Sequence, residues 1–428
     1  MFRNTSVLLG GRTIAGLMAI LSLSIAARAL GPEGLGVFAL IQAYVIIIDR
    51  LLNFQCWQAV IKFGADFLKQ NKPEEFKSLV KFCTILDAAT ALCGAVIAAA
   101  GVYFFGNWKG WQQQTIYATI VYCIWILFNL EGTAGGLLRL FDKFKLVSAT
   151  NITGATLKLV FAALGYAFSP KLMTFVIIWV TAGIAETILL LLTAWYQVYK
   201  RTGDNFFKAK LGIAAKDKTL WKFVLSTNLN QSVKLASREL DVLIVGAVLG
   251  TAATGIYKIA RQLAAIPAML IEPMYQAVYT ELAALAAEKR FSDLKHIIAK
   301  TTVIGGVASL LIWLFFVIFA GPILNVLAGA NFEQARGVMI VYMFAFVIWG
   351  LSFCLPAGLL ALGKATICLI ILIIVQLIFL PALYLLLKNA GIIGAGIAQV
   401  IFFAVYSVLM FIFFTKNLSK EMIINDRR

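Results

Sequence analysis

The feature that most constrains this chain is a recurrence of apolar runs of about 20 residues, the length a helix needs to cross the ~30 Å hydrocarbon core of a bilayer. They lie near 7–29, 36–60, 82–105, 114–138, 146–168, 172–197, 221–247, 255–280, 301–320, 337–362, 366–387 and 392–415, separated by charge clusters and Gly or Pro. With 61% hydrophobic and 13% charged residues over 428 positions, the chain cannot build a water-facing surface for most of its length. In lipid every backbone N–H and C=O needs an internal partner, which leaves helices or closed barrels. Continuous runs, rather than ten-residue alternation, decide for helices. The expected fold is an all-α integral membrane protein of about 12 transmembrane helices.

Ala27-Arg28-Ala29 after an apolar stretch mimics a signal-peptide cleavage site. Gly10-Gly11-Arg12 inside that stretch and its length argue against cleavage, so the first helix is expected to be retained. Cys56, Cys83, Cys93, Cys123, Cys354 and Cys368 all stand in apolar runs without a CxxC spacing, and read as small core hydrophobes. His296 is the sole histidine and sits in a charged loop, which supplies neither a metal site nor a Ser/His/Asp or Cys/His pair. Neither metal, cofactor nor enzymatic chemistry is therefore expected.

Lys and Arg give the orientation. With a cytoplasmic N-terminus, the cytoplasmic segments hold 25 of them, and the opposite loops hold only Lys109, Lys171, Arg336 and Lys388. That bias places both termini in the cytoplasm. It also assigns most of the net charge of +17 to topology and anionic lipid heads rather than to a nucleic-acid partner.

The longest linker, 198–220, divides the chain into bundles at 1–197 and 221–415, followed by a tail at 416–428. The halves repeat. Leu30-Gly31 before Gly36-Val37-Phe38 recurs as Leu249-Gly250 before Gly255-Ile256-Tyr257; Gln58-Ala59-Val60 recurs as Gln276-Ala277-Val278; and Gly136-Leu137-Leu138 recurs as Gly358-Leu359-Leu360. The offsets are 219, 218 and 222, where chance likeness between apolar segments would scatter them. Two six-helix bundles related by a pseudo-two-fold axis along the membrane normal are the expected architecture.

Eight bases fall inside spans: Arg12, Arg28, Arg50, Lys158, Lys234, Arg238, Lys258 and Arg261. Each carries an insertion penalty of about 2.5 to 3.5 kcal/mol at mid-membrane, so each calls for a wet cavity or a partner. All but Lys158 lie on the first, second, seventh and eighth spans, which correspond by repeat and are expected to line one central cationic lumen. Thr227, Gln231, Lys234, Arg238 and Asp241 form a stripe at helical spacing on the seventh span. Lys258, Arg261, Glu272 and Gln276 share a face of the eighth; Gln42, Asp49 and Asn53 share one on the second, with Arg50 beside it. The alternative is mutual neutralisation: Asp49 with Arg50, Lys234 or Arg238 with Glu239 or Asp241, Arg261 with Glu272. Lys158, Asp87, Glu131 and Glu186 stand singly on their spans, equally open to either reading. Pro267 and Pro273 suggest a gating bend in the eighth span, whereas Pro356 and Pro381 read as static bends.

These features together resemble the polysaccharide transport family, the Wzx-type flippases of O-antigen and capsule units, within the multidrug/oligosaccharidyl-lipid/polysaccharide exporter superfamily. The residues carrying the likeness are Ala29-Leu30-Gly31-Pro32-Glu33-Gly34-Leu35-Gly36-Val37-Phe38; Asp241 with Leu249-Gly250 and Gly255-Ile256-Tyr257; and Gly391-Ile392-Ile393-Gly394-Ala395-Gly396-Ile397-Ala398. The resemblance implies a multi-pass protein of the bacterial cytoplasmic membrane. It would move undecaprenyl-pyrophosphate-linked oligosaccharide from the cytoplasmic to the periplasmic leaflet by alternating access, with a proton or sodium as coupling ion. Membrane lipid and the polymerase and chain-length proteins of the same pathway would be its partners. On that reading the lumen bases Arg12, Arg28, Arg50, Lys234, Arg238, Lys258 and Arg261 meet the pyrophosphate by charge-assisted contacts. Gln42, Asn53, Asn228 and Gln231 meet sugar, and Asp49, Glu239, Asp241 and Glu272 switch with the ion. A multidrug extruder of the same superfamily is the alternative, disfavoured by a lumen rich in bases. A membrane-embedded polymerase is a further one, disfavoured by the lack of a large acidic outer loop.

Overall fold

A computed structural model describes residues 2–108, 111–203, 206–211, 217–236 and 239–426; the side chains of 2–9, 105, 108, 208, 229–236, 270, 272, 273, 276, 277 and 424–426 are not among those described. The described residues form helices and short connections, with no strand. In order these are α1 (Phe2–Leu52), α2 (Trp57–Lys69), α3 (Pro73–Trp108), α4 (Gln113–Phe128), α5 (Glu131–Leu140), α6 (Phe144–Phe168) and α7 (Leu172–Thr202). Then follow α8 (Lys218–Ala236), α9 (Leu240–Ala264), α10 (Ile266–Ala287), α11 (Phe291–Leu327), α12 (Ala335–Gly350), α13 (Leu355–Ala361), α14 (Ala365–Ala390) and α15 (Ile393–Asp426).

Among the described residues, ten stretches are long and apolar enough to cross a membrane, and two of them break at a glycine. Gly10–Lys69 is 60 residues long. At 1.5 Å per residue a straight helix of that length would reach ~90 Å, several times the ~30 Å core, so it cannot be one pass. It leaves helical geometry at Gly31, with φ 66° and ψ −179°. Leu240–Met269 does the same at Gly250, with φ 84° and ψ −175°. Gly31 separates two passes within Gly10–Lys69, and Gly250 breaks the helix at the matching point of the second half. The two positions are the pair that the sequence offset of 219 matched, so the repeat extends to backbone conformation. This region of φ/ψ space is nearly closed to any residue with a Cβ. Gly250→Ala is accordingly expected to destabilise the protein by about 1–3 kcal/mol, read as a lowered melting temperature in detergent.

The chain divides into two compact units, Met1–Leu30 with Val37–Leu243, and Gly31–Gly36 with Ile244–Arg428. The change from one unit to the other at Leu243 and Ile244 lies within α9, so α8 goes with the first unit. The reason is local: α8 packs on α2, with Phe223 edge-on to Phe63 at 5.5 Å and Lys62 Nζ 4.4 Å from the Phe223 ring centre. The described part of the linker is itself pinned to α3. Lys81 Nζ donates to the carbonyls of Phe207 and Ala209 at 2.7 and 3.0 Å, and Ser78 Oγ donates to that of Lys210 at 2.8 Å.

Each unit has its own apolar core. Val60, Phe76, Leu79, Leu137, Leu138 and Val224 are sealed in the first, and Leu282, Leu294, Phe353, Leu359 and Met410 in the second. Outward positions are apolar as well, with Leu311, Ile318 and Leu377 all more than 60% exposed, the arrangement lipid requires.

Several spans are interrupted. The second breaks between α1 and α2, the fourth between α4 and α5, the eighth at Ala265 and the tenth between α12 and α13. Pro267 and Pro356 each stand in the first turn of the helix that follows a break, where a missing N–H is harmless. Pro273 and Pro381 lie within α10 and α14.

Candidate functional site

The polar face expected on the second span exists, and α4 closes it. Gln42 is buried, its Nε2 donating to Tyr122 Oη at 3.4 Å. Asp49 is fully buried and accepts from Nδ2 of Asn53 at 2.9 Å and of Asn129 at 2.8 Å. Asn53 Nδ2 also donates to the Asn129 carbonyl at 2.9 Å. Arg50 Nε lies 3.9 Å from Asp49 Oδ2, the ion pair that neighbouring positions in the sequence suggested. Gln42, Asp49 and Asn53 thus meet protein rather than solvent.

Arg12 and Arg28 are exposed; Arg50, Lys258, Arg261 and Glu239 are half-buried. Asp241 is buried at the start of α9, accepting from the Val242 amide at 2.8 Å. Arg238 and the side chains of Gln231, Lys234, Glu272 and Gln276 lie outside the described residues.

Asp87, which the sequence left open between a structural and a functional role, forms a second acidic centre. Breaking a helix inside a membrane frees amides that cost several kcal/mol each if left without acceptors. In the second span three consecutive amides are freed, and each finds a side chain. Phe54 N–H donates to Thr90 Oγ1 at 3.1 Å, Gln55 N–H to Asn228 Oδ1 at 2.7 Å, and Cys56 N–H to Asp87 Oδ1 at 3.1 Å. The other oxygen of Asp87 takes the amide of Thr133 at 2.9 Å and its hydroxyl at 2.7 Å, in the first turn of α5. One carboxylate on α3 therefore receives the N-termini of two half-helices. It is 1% exposed and has no ion pair among the described residues.

The half-helices α2 and α5 are packed side by side and run parallel. A Cβ on Gly132 would lie 2.8 Å from Gln55 Cα and 2.9 Å from Cys56 N; one on Gly136 would lie 2.9 Å from both Cα and O of Trp57. Gly132 and Gly136 are the small-xxx-small spacing that lets membrane helices touch backbone to backbone. Gly64 meets Leu140 further along, and the Arg139 guanidinium stands 5.2 Å from the Trp57 ring centre.

The remaining single charges collect beyond this pair. Glu131 lies within electrostatic reach of Arg50, Lys158 and Arg139, and Lys158 within that of Glu131 and Glu186. Lys158 Nζ also faces the Trp179 ring, 5.9 Å from its centre. Lys158, Glu131 and Glu186, single on their own spans, are brought together by three different helices.

A family profile described as polysaccharide biosynthesis protein matches residues 1–280, and the MatE profile matches 229–385. The chain is similar to the inner membrane protein YghQ of Escherichia coli (strain K12), 27% identical over 337 residues that cover 78% of this chain and 94% of the relative. Its fold is similar to that of a multidrug resistance MATE family transporter of the MOP superfamily solved in an inward-facing conformation, with TM-score 0.72 at 15% identity, covering 99% of this chain and 96% of that one. A MOP superfamily transporter from Pyrococcus furiosus Vc1 (DSM3638), whose binding pocket of reverse polarity is said to suggest a different function, gives 0.70 at 15% identity over 98% and 95% of the two chains. The profile that spans 1–280 covers well over half of the residues, and together with the helical fold it shows that the chain belongs to the polysaccharide biosynthesis protein family, as a multi-pass membrane transporter of the multidrug/oligosaccharidyl-lipid/polysaccharide exporter superfamily.

Proposed function

We propose that the protein is a flippase that moves undecaprenyl-pyrophosphate-linked oligosaccharide from the cytoplasmic to the periplasmic leaflet of the bacterial inner membrane, by ion-coupled alternating access, for surface polysaccharide synthesis. Both termini lie in the cytoplasm on this reading. The observation that carries it is the retention of Arg and Lys within the spans of a polysaccharide-family transporter. Each base carries an insertion penalty of about 2.5–3.5 kcal/mol, and an anionic pyrophosphate is a ligand that uses them. Arg12, Arg28, Arg50, Lys258 and Arg261 are the exposed or half-buried candidates, joined by Lys234 and Arg238. Glu239, Asp241 and Glu272 are the candidate acids for ion coupling. Asp49, Gln42, Asn53 and Asn228 already have protein partners, which favours a role in holding the bundle over contact with cargo.

Depletion in the native host is expected to make lipid-linked saccharide accumulate on the cytoplasmic leaflet. Saccharide already periplasmic, with only chain extension blocked, would reassign the protein to polymerisation. Arg261→Ala is expected to abolish complementation while protein level is kept. The MatE match over 229–385 supports a second reading, drug extrusion. It predicts that depletion raises susceptibility to cationic drugs and leaves the lipid-linked saccharide where it was.

A further inference from the structure

We infer that Asp87 is a positioning residue that joins α2 and α5 into one rigid body, its counter-charge being the paired N-termini of those two half-helices. A buried carboxylate without a base is a heavy penalty in hydrocarbon. Each helix N-terminus carries about half a positive charge, so two of them aimed at one carboxylate supply about one unit, enough to balance it. The geometry meets this need: Cys56 N–H on Oδ1, Thr133 N–H and Oγ–H on Oδ2, and two parallel helices whose backbones touch at Gly132 and Gly136.

The second half shows what the same architecture does without the charge. The repeat offsets of 218 to 222 put Gly305 to Ser309 of α11 where α3 has Asp87. There the break after α12 is closed by backbone approach, a Cβ on Gly350 falling 2.9 Å from the Gly305 carbonyl and one on Gly305 falling 2.8 Å from that of Gly350. No carboxylate is needed to fill that position. Asp87 therefore does more than occupy space in the first half: it ties two helix ends that sit 31 and 46 residues away from it in sequence. The inference concerns only how α2 and α5 are held together and stands whatever the cargo.

Hydrogen–deuterium exchange on the full-length protein in lipid nanodiscs tests it, comparing wild type with Asp87→Asn, Asp87→Glu and Thr133→Val. Asparagine keeps the shape and one acceptor oxygen and removes the charge. In Asp87→Asn, peptides covering 54–60 and 131–137 are expected to exchange about tenfold faster, by the same factor in both, while 350–358 is unchanged. Asp87→Glu, which keeps the charge on a longer arm, should fall between Asn and wild type, and Thr133→Val should raise both peptides by a smaller factor. A rise confined to one half-helix, an equal rise at 350–358, or Asn protecting as well as Asp would overturn the inference.

Discussion

Asp49→Leu is expected to leave little folded protein. The carboxylate is wholly buried and is the acceptor for the Asn53 and Asn129 side-chain amides, with the Arg50 guanidinium beside it. Leucine fills a similar volume but takes no hydrogen bond. It strands two amides and one guanidinium in a medium where removing one partner of a buried pair costs about 3–5 kcal/mol. Against a folding margin of about 5–15 kcal/mol that is a large share. Size-exclusion of detergent extracts should show a collapse of the monodisperse peak and a fall in melting temperature. Asp49→Asn, which keeps the shape and one acceptor, should lose only about 1–2 kcal/mol. Equal stability of the Leu variant and wild type would mean that the network is not holding the second and fourth spans together.

The second large effect is a difference between neighbours. Gly132→Ala places its methyl 2.8 Å from Gln55 Cα, 2.9 Å from Cys56 N and 3.0 Å from Asp87 Oδ2. The first two are backbone atoms that cannot rotate away, so α2 and α5 have to part, at about 1–3 kcal/mol for the overpacking. Gly135→Ala, three positions along the same helix, meets nothing within 4 Å. There alanine should be neutral or gain up to about 1 kcal/mol in helix propensity. Melting curves of the two variants side by side read out the parallel contact. Like effects from both would argue that helix propensity, and not the α2–α5 approach, sets stability in this segment.

Much of the scaffold was legible in the amino-acid order. Apolar run length gave twelve passes because lipid leaves the backbone so few options. Gly31 and Gly250 stood out through the constant offset before their positive φ was visible. The stripe Gln42, Asp49 and Asn53 was also legible, since helical spacing fixes which residues share a face. Its direction was not legible: periodicity says that a face is polar, and says nothing about whether solvent or Asn129 answers it. The role of Asp87, left open between the structural and functional readings, was hidden for a related reason. Its partners are backbone amides and a hydroxyl from distant segments, and backbone groups leave no mark in a residue count. The available signals were an acid with no base on its own span and the run Gly132-Thr133-Ala134-Gly135-Gly136 after Asn129 in an otherwise apolar span. Side-chain chemistry beyond the breaks, where Lys158 comes within electrostatic reach of Glu131 and Glu186, needed three helices to be assembled before it existed at all.

The placement of Asp87 between its partners also bears on how the protein is made. Cys56 precedes it in the chain and Thr133 follows it, so when α3 leaves the ribosome only one of the two helix ends that balance the carboxylate has been synthesised. A third span entering lipid alone would carry a half-answered charge. It is better retained beside the translocon until α4 and α5 arrive, and the second, third and fourth passes should then be released into the bilayer as a set.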